Sequence, residues 1–138
     1  MLGLDVGSRT IGVAVTDELG AMAHPVTVLG RRGTQADVVQ VRDIADTYQT
    51  RRTVVGMPYD EDGKEGQRAS RVRVFVDALV KDGFSVELYD ERFSTVEALD
   101  VLLEADLSRK KRKKVVDRVA AQVILQRWLD SQRREIVE

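Results

Sequence analysis

The chain contains no cysteine. That excludes a disulfide framework, a thiolate zinc site and a cysteine nucleophile. Its one histidine, His24, is followed directly by proline and reads as a loop or strand-edge residue. With no nucleophile-elbow motif, a Ser–His–Asp hydrolase is a poor fit. Aromatic residues make up 5% of the chain, too few for a surface built on base stacking. A protein of this kind that binds nucleic acid does so mainly through the phosphate backbone. No apolar run approaches the roughly 20 residues needed to span a bilayer. The basic stretch and small-residue cleavage site of a secretory signal are missing from the N-terminus. Internal repeats and low-complexity linkers are also absent. The expectation is a cytoplasmic protein with one domain over residues 1–138, long enough to bury a sizeable core.

What is present is unevenly distributed. The formal net charge is −1, yet Arg109-Lys110-Lys111-Arg112-Lys113-Lys114 is a run of six bases without an acid. The rest of the chain holds 16 basic residues against 23 acidic ones, a net of −7. One basic strip on an acidic body points to a polyanion contact, although a solvated charged face has the same composition.

Hydrophobic patterning predicts strands at 2–7, 11–16 and 25–29, joined by short gaps as an antiparallel meander. Thr34 starts a helix with Val38, Val41, Ile44, Ala45 and Tyr48 at helical spacing. Thr53–Gly56 is a short strand, ended by Met57-Pro58. An acidic, glycine-bearing loop covers 59–66. A helix follows from about Gln67, with Val72, Phe75, Val76, Leu79 and Val80 on one side, and Asp82-Gly83 ends it. Ser85–Tyr89 is a fifth strand. Ser94-Thr95-Val96-Glu97 is a capping box that opens a helix through Leu103. A last helix runs from about Lys113 to Gln132. Strand–helix–strand units favour parallel pairing. The expected fold is therefore α/β: a five-stranded mixed sheet, three strands antiparallel and then two parallel, with helices packed on it.

Three acids stand out. Asp5 lies between Gly3 and Gly7 in an apolar strand, and alternation puts these three on the face opposite Leu4 and Val6. A carboxylate there needs a partner, which a capped loop or a bound cation would supply. Asp117 precedes Ala121, Ile124, Leu125 and Trp128 on one helical stripe, so it faces inward. A favourable helix-dipole position near the helix start explains it equally well. Asp90 and Glu91 follow the fifth strand, where α/β sheets place functional groups. Alternation puts Asp90 with Val86 and Leu88, and Glu91 with Tyr89, but does not choose between them. Arg92 can pair with either. Carboxylates without thiolates suit Mg²⁺ or Mn²⁺ better than zinc. Two such ions support water attack on a phosphodiester.

Several segments together resemble the YqgF/RuvX family. They are Gly3-Leu4-Asp5-Val6-Gly7-Ser8-Arg9-Thr10-Ile11-Gly12-Val13-Ala14; Gly56-Met57-Pro58; Asp62-Gly63, Glu65-Gly66 and Arg68-Ala69; Asp90-Glu91-Arg92-Phe93-Ser94-Thr95; Arg112–Asp117; and Ala120-Ala121 with Ile124-Leu125-Gln126. The resemblance implies an RNase H-like fold and a metal-dependent nuclease. Such proteins are described both as Holliday junction resolvases and as nucleases of precursor 16S ribosomal RNA. It maps an acidic triad, catalytic and metal-binding, onto Asp5, Glu91 and Asp117, and so selects Glu91 over Asp90. It also implies substrate contacts by Arg9, Arg92, Arg109, Lys110, Lys111, Arg112, Lys113 and Lys114. The loop Tyr59–Asp62 is more acidic than the family's asparagine-bearing version, and Phe93 stands where leucine is frequent.

The favoured reading is a Mg²⁺- or Mn²⁺-dependent endonuclease of structured RNA, a monomer or weak homodimer that does not engage membranes. A four-way DNA junction is the alternative substrate, and its two-fold symmetry calls for a dimer. A further alternative is a non-catalytic nucleic-acid-binding or ribosome-assembly module. A nucleotide phosphotransferase of the actin type would need a duplicated fold and a second glycine-rich motif, and the chain has neither.

Overall fold

The computed structural model describes residues 1–93 and 109–137, with side chains over 1–92 and 119–133. Five strands form one sheet: β1 (Leu2–Val6), β2 (Thr10–Thr16), β3 (Ala23–Gly30), β4 (Arg52–Met57) and β5 (Ser85–Asp90). Their spatial order is β3-β2-β1-β4-β5. The first three pair antiparallel, and β4 joins β1 and β5 in parallel. The expected mixed sheet is the one observed. Helix α1 (Thr34–Thr47) makes the first crossover and α2 (Gln67–Lys81) the second. Helix α3 (Arg109–Val137) closes the described chain.

Each sheet face has its own apolar layer. Leu2, Leu4, Val6, Ile11, Val13, Val55 and Met57 pack against α1 and α2 through Val38, Val41, Val72, Phe75 and Leu79. On the other face Ala14, Ala23 and Val54 meet Ala121, Ile124, Leu125 and Leu129 of α3. The alternation read from Leu4 and Val6 is therefore the real division between the faces. Gly3 marks the closest approach of α3. A Cβ there would stand 2.6 Å from Leu125 Cβ and 3.1 Å from the Ala121 carbonyl.

Some boundaries differ from the pattern. Strand β3 is longer than 25–29 and carries Pro25 and exposed His24 at the sheet edge, where a missing ladder donor is tolerated. Tyr48 is just past the end of α1 and 44% exposed, and Val80 is 53% exposed, so neither belongs to the buried stripes. Helix α3 begins at Arg109 rather than near Lys113. Lysine and arginine are good helix formers, and like-charge neighbours cost only tenths of a kcal/mol each. Helix α2 does end at Asp82-Gly83: Gly83 takes φ +99°, and the Phe84 amide reaches back to the Leu79 carbonyl at 3.0 Å. The capping box at Ser94–Glu97 and its helix lie outside the described residues.

Candidate active site

Asp5 is the penultimate residue of β1 and Glu91 follows β5, with β4 between them. Residue 56, on that middle strand, is glycine. A Cβ at Gly56 would clash with Glu91 Oε1 and stand 2.7 Å from Ile124 Cδ1. The missing side chain lets Glu91 lie across β4 to reach Asp5. The two carboxyls come close enough to share a hydrogen bond. Burial first, then the Asp5 charge and that hydrogen bond, push the Glu91 carboxyl up to about 7, while Arg68 opposes the rise.

Asp90 points the other way. Val86 and Leu88 pack toward the α1/α2 layer, whereas Tyr89 packs toward α3. Glu91 follows Tyr89 in that alternation, and Asp90 turns to Arg92. Arg92 Nη2 donates to Asp90 Oδ2 at 2.6 Å, and Arg92 Nε lies 3.0 Å from each carboxylate oxygen. The Arg92 hydrogen bond holds the Asp90 carboxyl below its ordinary value despite burial. Arg92 Nη1 also donates to the Glu61 carbonyl at 3.2 Å. The guanidinium packs on Gly63, whose φ of +83° bends the loop around it. Arg92 thus braces the acidic loop 58–66 against the end of β5. Arg9 is exposed in the β1–β2 turn. Positions 109–114 form the first turns of α3, and 117 lies one turn before Ala121, on the Asp5 side of Gly3. The side chains at 109–118 lie outside the described residues.

A cavity of about 750 Å³ opens at the carboxyl ends of β1 and β4. Asp5, Glu91, Gly7, Ser8 and Pro58 line it from the sheet, and Arg31, Arg68 and Arg71 face them. Sequence reading passed over these three arginines as functional residues, because Arg68 and Arg71 look like ordinary solvent-facing positions of an amphipathic helix. Arg68 and Arg71 did carry a signal of position, just after the loop that follows β4, and Arg68 also lies in the Arg68-Ala69 segment of the family resemblance. Arg31 is fixed by the buried carboxylate of Asp37 at 2.9 Å and donates to the Gly7 carbonyl at 3.1 Å.

The acid pair, which needs a cation or a proton between its members, has the donor chemistry of a hard divalent ion site. Among the described residues no cluster of three such ligands forms.

Sheet order and helix placement define an RNase H-like fold. RuvC from T. thermophilus in complex with a Holliday junction substrate superposes with a TM-score of 0.58 at 14% identity, over 96% of both chains. A second T. thermophilus RuvC structure gives 0.54 at 15% identity, again over 96% of each. At these identities the likeness concerns the fold.

The family follows from the sequence comparison. The model described as "RuvX: Holliday junction resolvase" matches residues 1–131, and the chain belongs to this family. A Myxococcus xanthus relative is 48% identical over 133 residues, covering 96% of this chain and 88% of its own. One from Halothermothrix orenii is 46% identical over 135 residues, with coverage of 97% and 96%. One from Symbiobacterium thermophilum is 49% identical over 130 residues, with coverage of 94% and 90%. All three are named "Putative pre-16S rRNA nuclease".

Proposed function

We propose that this protein is a divalent-metal-dependent endonuclease of structured nucleic acid, a single RNase H-like domain whose substrate is precursor 16S ribosomal RNA. The observation that carries the reading is the Asp5–Glu91 pair, brought together across Gly56 at the mouth of an arginine-lined cavity. The curated relatives' names favour the RNA substrate. Cleavage of precursor ribosomal RNA implies a cytoplasmic site of action.

Asp5 and Glu91, with Asp117 from the start of α3, would hold Mg²⁺ or Mn²⁺, probed first as a pair of ions. Bound there, the cations supply Lewis acidity toward the phosphoryl oxygen and lower the pKa of water. The chain's own residues orient and bind. Gly56 leaves room for Glu91 to cross the strand, and α3 packed on Gly3 sets the position of residue 117. Arg92 holds the 58–66 loop beside Glu91. Arg9 and the bases at 109–114 contact the phosphate backbone, the latter at the positive end of the α3 dipole.

Wild type and Asp5→Asn should be incubated with Mg²⁺, Mn²⁺ or EDTA on a precursor 16S RNA fragment and on a four-way DNA junction. Metal-dependent RNA cleavage, reduced roughly 100-fold or more in Asp5→Asn, is the expected result. A wild type that cuts neither substrate overturns the nuclease reading. The family description favours one second reading, resolution of the DNA junction. Junction cleavage by a stable dimer would establish it in place of the RNA reading.

A further inference from the structure

Arg68 and Arg71 lie three residues apart near the start of α2, and both are exposed and line the same cavity as Asp5 and Glu91. Val74, three residues further on, lines it too and is 58% exposed. Residues spaced by three share a helix face, so 68, 71 and 74 form one track about 9 Å long. The track borders the same cavity that Asp5 and Glu91 line from the sheet side.

Three cationic side chains nearby are already engaged. Arg31 is tied to Asp37, Arg73 to Glu65 and Arg92 to Asp90. Away from the cavity, Arg42 is tied to Asp82 and Arg51 to Asp46. Among the described residues, Arg68 and Arg71 form no ion pair. Two guanidiniums held at a concave site with no carboxylate in ion-pair contact are suited to phosphate oxygens, which they grip through paired N–H groups. An apolar residue next along the track fits a sugar face rather than another phosphate.

We propose that Arg68 and Arg71 bind neighbouring phosphates of the nucleic-acid strand that enters the cavity, with Val74 against the sugar beyond them, so that α2 directs that strand past Asp5 and Glu91. This rests on the nucleic-acid reading above. It gives the cavity a second wall of contacts, on the opposite face of the sheet from α3.

The test is equilibrium binding of the Asp5→Asn protein to a hairpin RNA and to a four-way DNA junction over a salt series. Arg68→Ala/Arg71→Ala in that background should weaken binding at least tenfold. It should also flatten the slope of log K against log[salt] by about 1.5 to 2, near one counterion per lost contact. Arg68→Lys/Arg71→Lys should recover most of the slope but only part of the affinity. Arg52→Ala, on the surface at the far end of β4, should leave the slope unchanged. In otherwise wild-type protein the double alanine variant should raise KM more than it lowers kcat. An unchanged slope in a folded double variant overturns the proposal, as does an absence of binding to either probe. Binding that weakens as expected in a protein that cuts nothing would retain the contact and reject the nuclease.

Discussion

Glu91 is held where a carboxylate is uncomfortable. It is half-buried and faces the Asp5 charge, and among the described residues the pull of Arg68 offsets these in part. Such a group favours its neutral form and weakens the fold when ionised without a cation. Glu91→Gln keeps the shape and removes one charge. In EDTA it should raise the melting temperature by a few degrees, in line with about 1 kcal/mol for a chain of this size, while cleavage falls at least about 100-fold. A calorimetric scan showing a lower melting temperature would contradict this. Asp37 is the opposite case. Burial would raise its carboxyl, but the Arg32 amide, the Arg31 guanidinium and the Gln40 amide outweigh that and hold it below 3.8. A lowered native pKa stabilises the fold above the unfolded value and loses that contribution as the pH falls through the native one. Urea titrations should therefore show the Asp37 contribution intact at pH 7 and lost progressively below about pH 4. Asp37→Asn should cost about 3 kcal/mol at pH 7, the lower part of the range for a broken buried pair, because Arg31 keeps 19% exposure. The variant should also lose stability less steeply in acid.

Two glycines, one on β1 and one on β4, decide how the elements meet. Gly3 lets α3 settle on the sheet, and Gly56 admits both Ile124 and the Glu91 carboxylate. Gly3→Ala must push Leu125 and the helix backbone away, so the urea midpoint should fall by the equivalent of about 1–3 kcal/mol. Gly56→Ala meets the flexible end of Glu91 as well as Ile124. Its larger effect should be on kcat, which depends on where that carboxylate lies, with a smaller loss of stability. Equal effects of the two substitutions on activity would show that the crossing over β4 is unimportant. Arg92 acts on the same scale. Its hydrogen bonds to Asp90 and to the Glu61 carbonyl make it a brace between β5 and the loop before α2, beside the substrate contact expected of it from sequence.

Across the whole molecule, charge is segregated. Six consecutive bases occupy the first turns of α3 while the remainder carries −7. They crowd the positive end of the helix dipole, an arrangement that a bound polyanion relieves. Replacing Lys110, Lys111, Lys113 and Lys114 with glutamine should lower affinity for both RNA and DNA. The binding salt slope should flatten by about 3, with the urea midpoint unchanged or slightly raised. A variant that binds as well as wild type would remove the run from the interface. No helix among the described residues is long and apolar enough to cross a membrane.

The arrangement of the sheet was legible in the sequence because its causes are local. Short gaps between the first three strands force antiparallel neighbours, and helical crossovers force the parallel ones. Period-two alternation sorted Leu4 and Val6 from Asp5, and the composition of 67–83 marked α2 and its glycine stop. The acids were visible one at a time, as charges in apolar surroundings. Their meeting was not, since Asp5 and Glu91 are 86 positions apart in the chain. Nothing at either position records that a glycine on the strand between them would open the path. The choice of Glu91 over Asp90 came from family likeness; in the structure Glu91 turns toward Asp5 and Asp90 toward Arg92. Arg68 and Arg71 were hidden for a related reason. Exposure on a helix looks the same in sequence whether the residue faces bulk water or a cavity, and only the packing of α2 against the sheet turns one into the other.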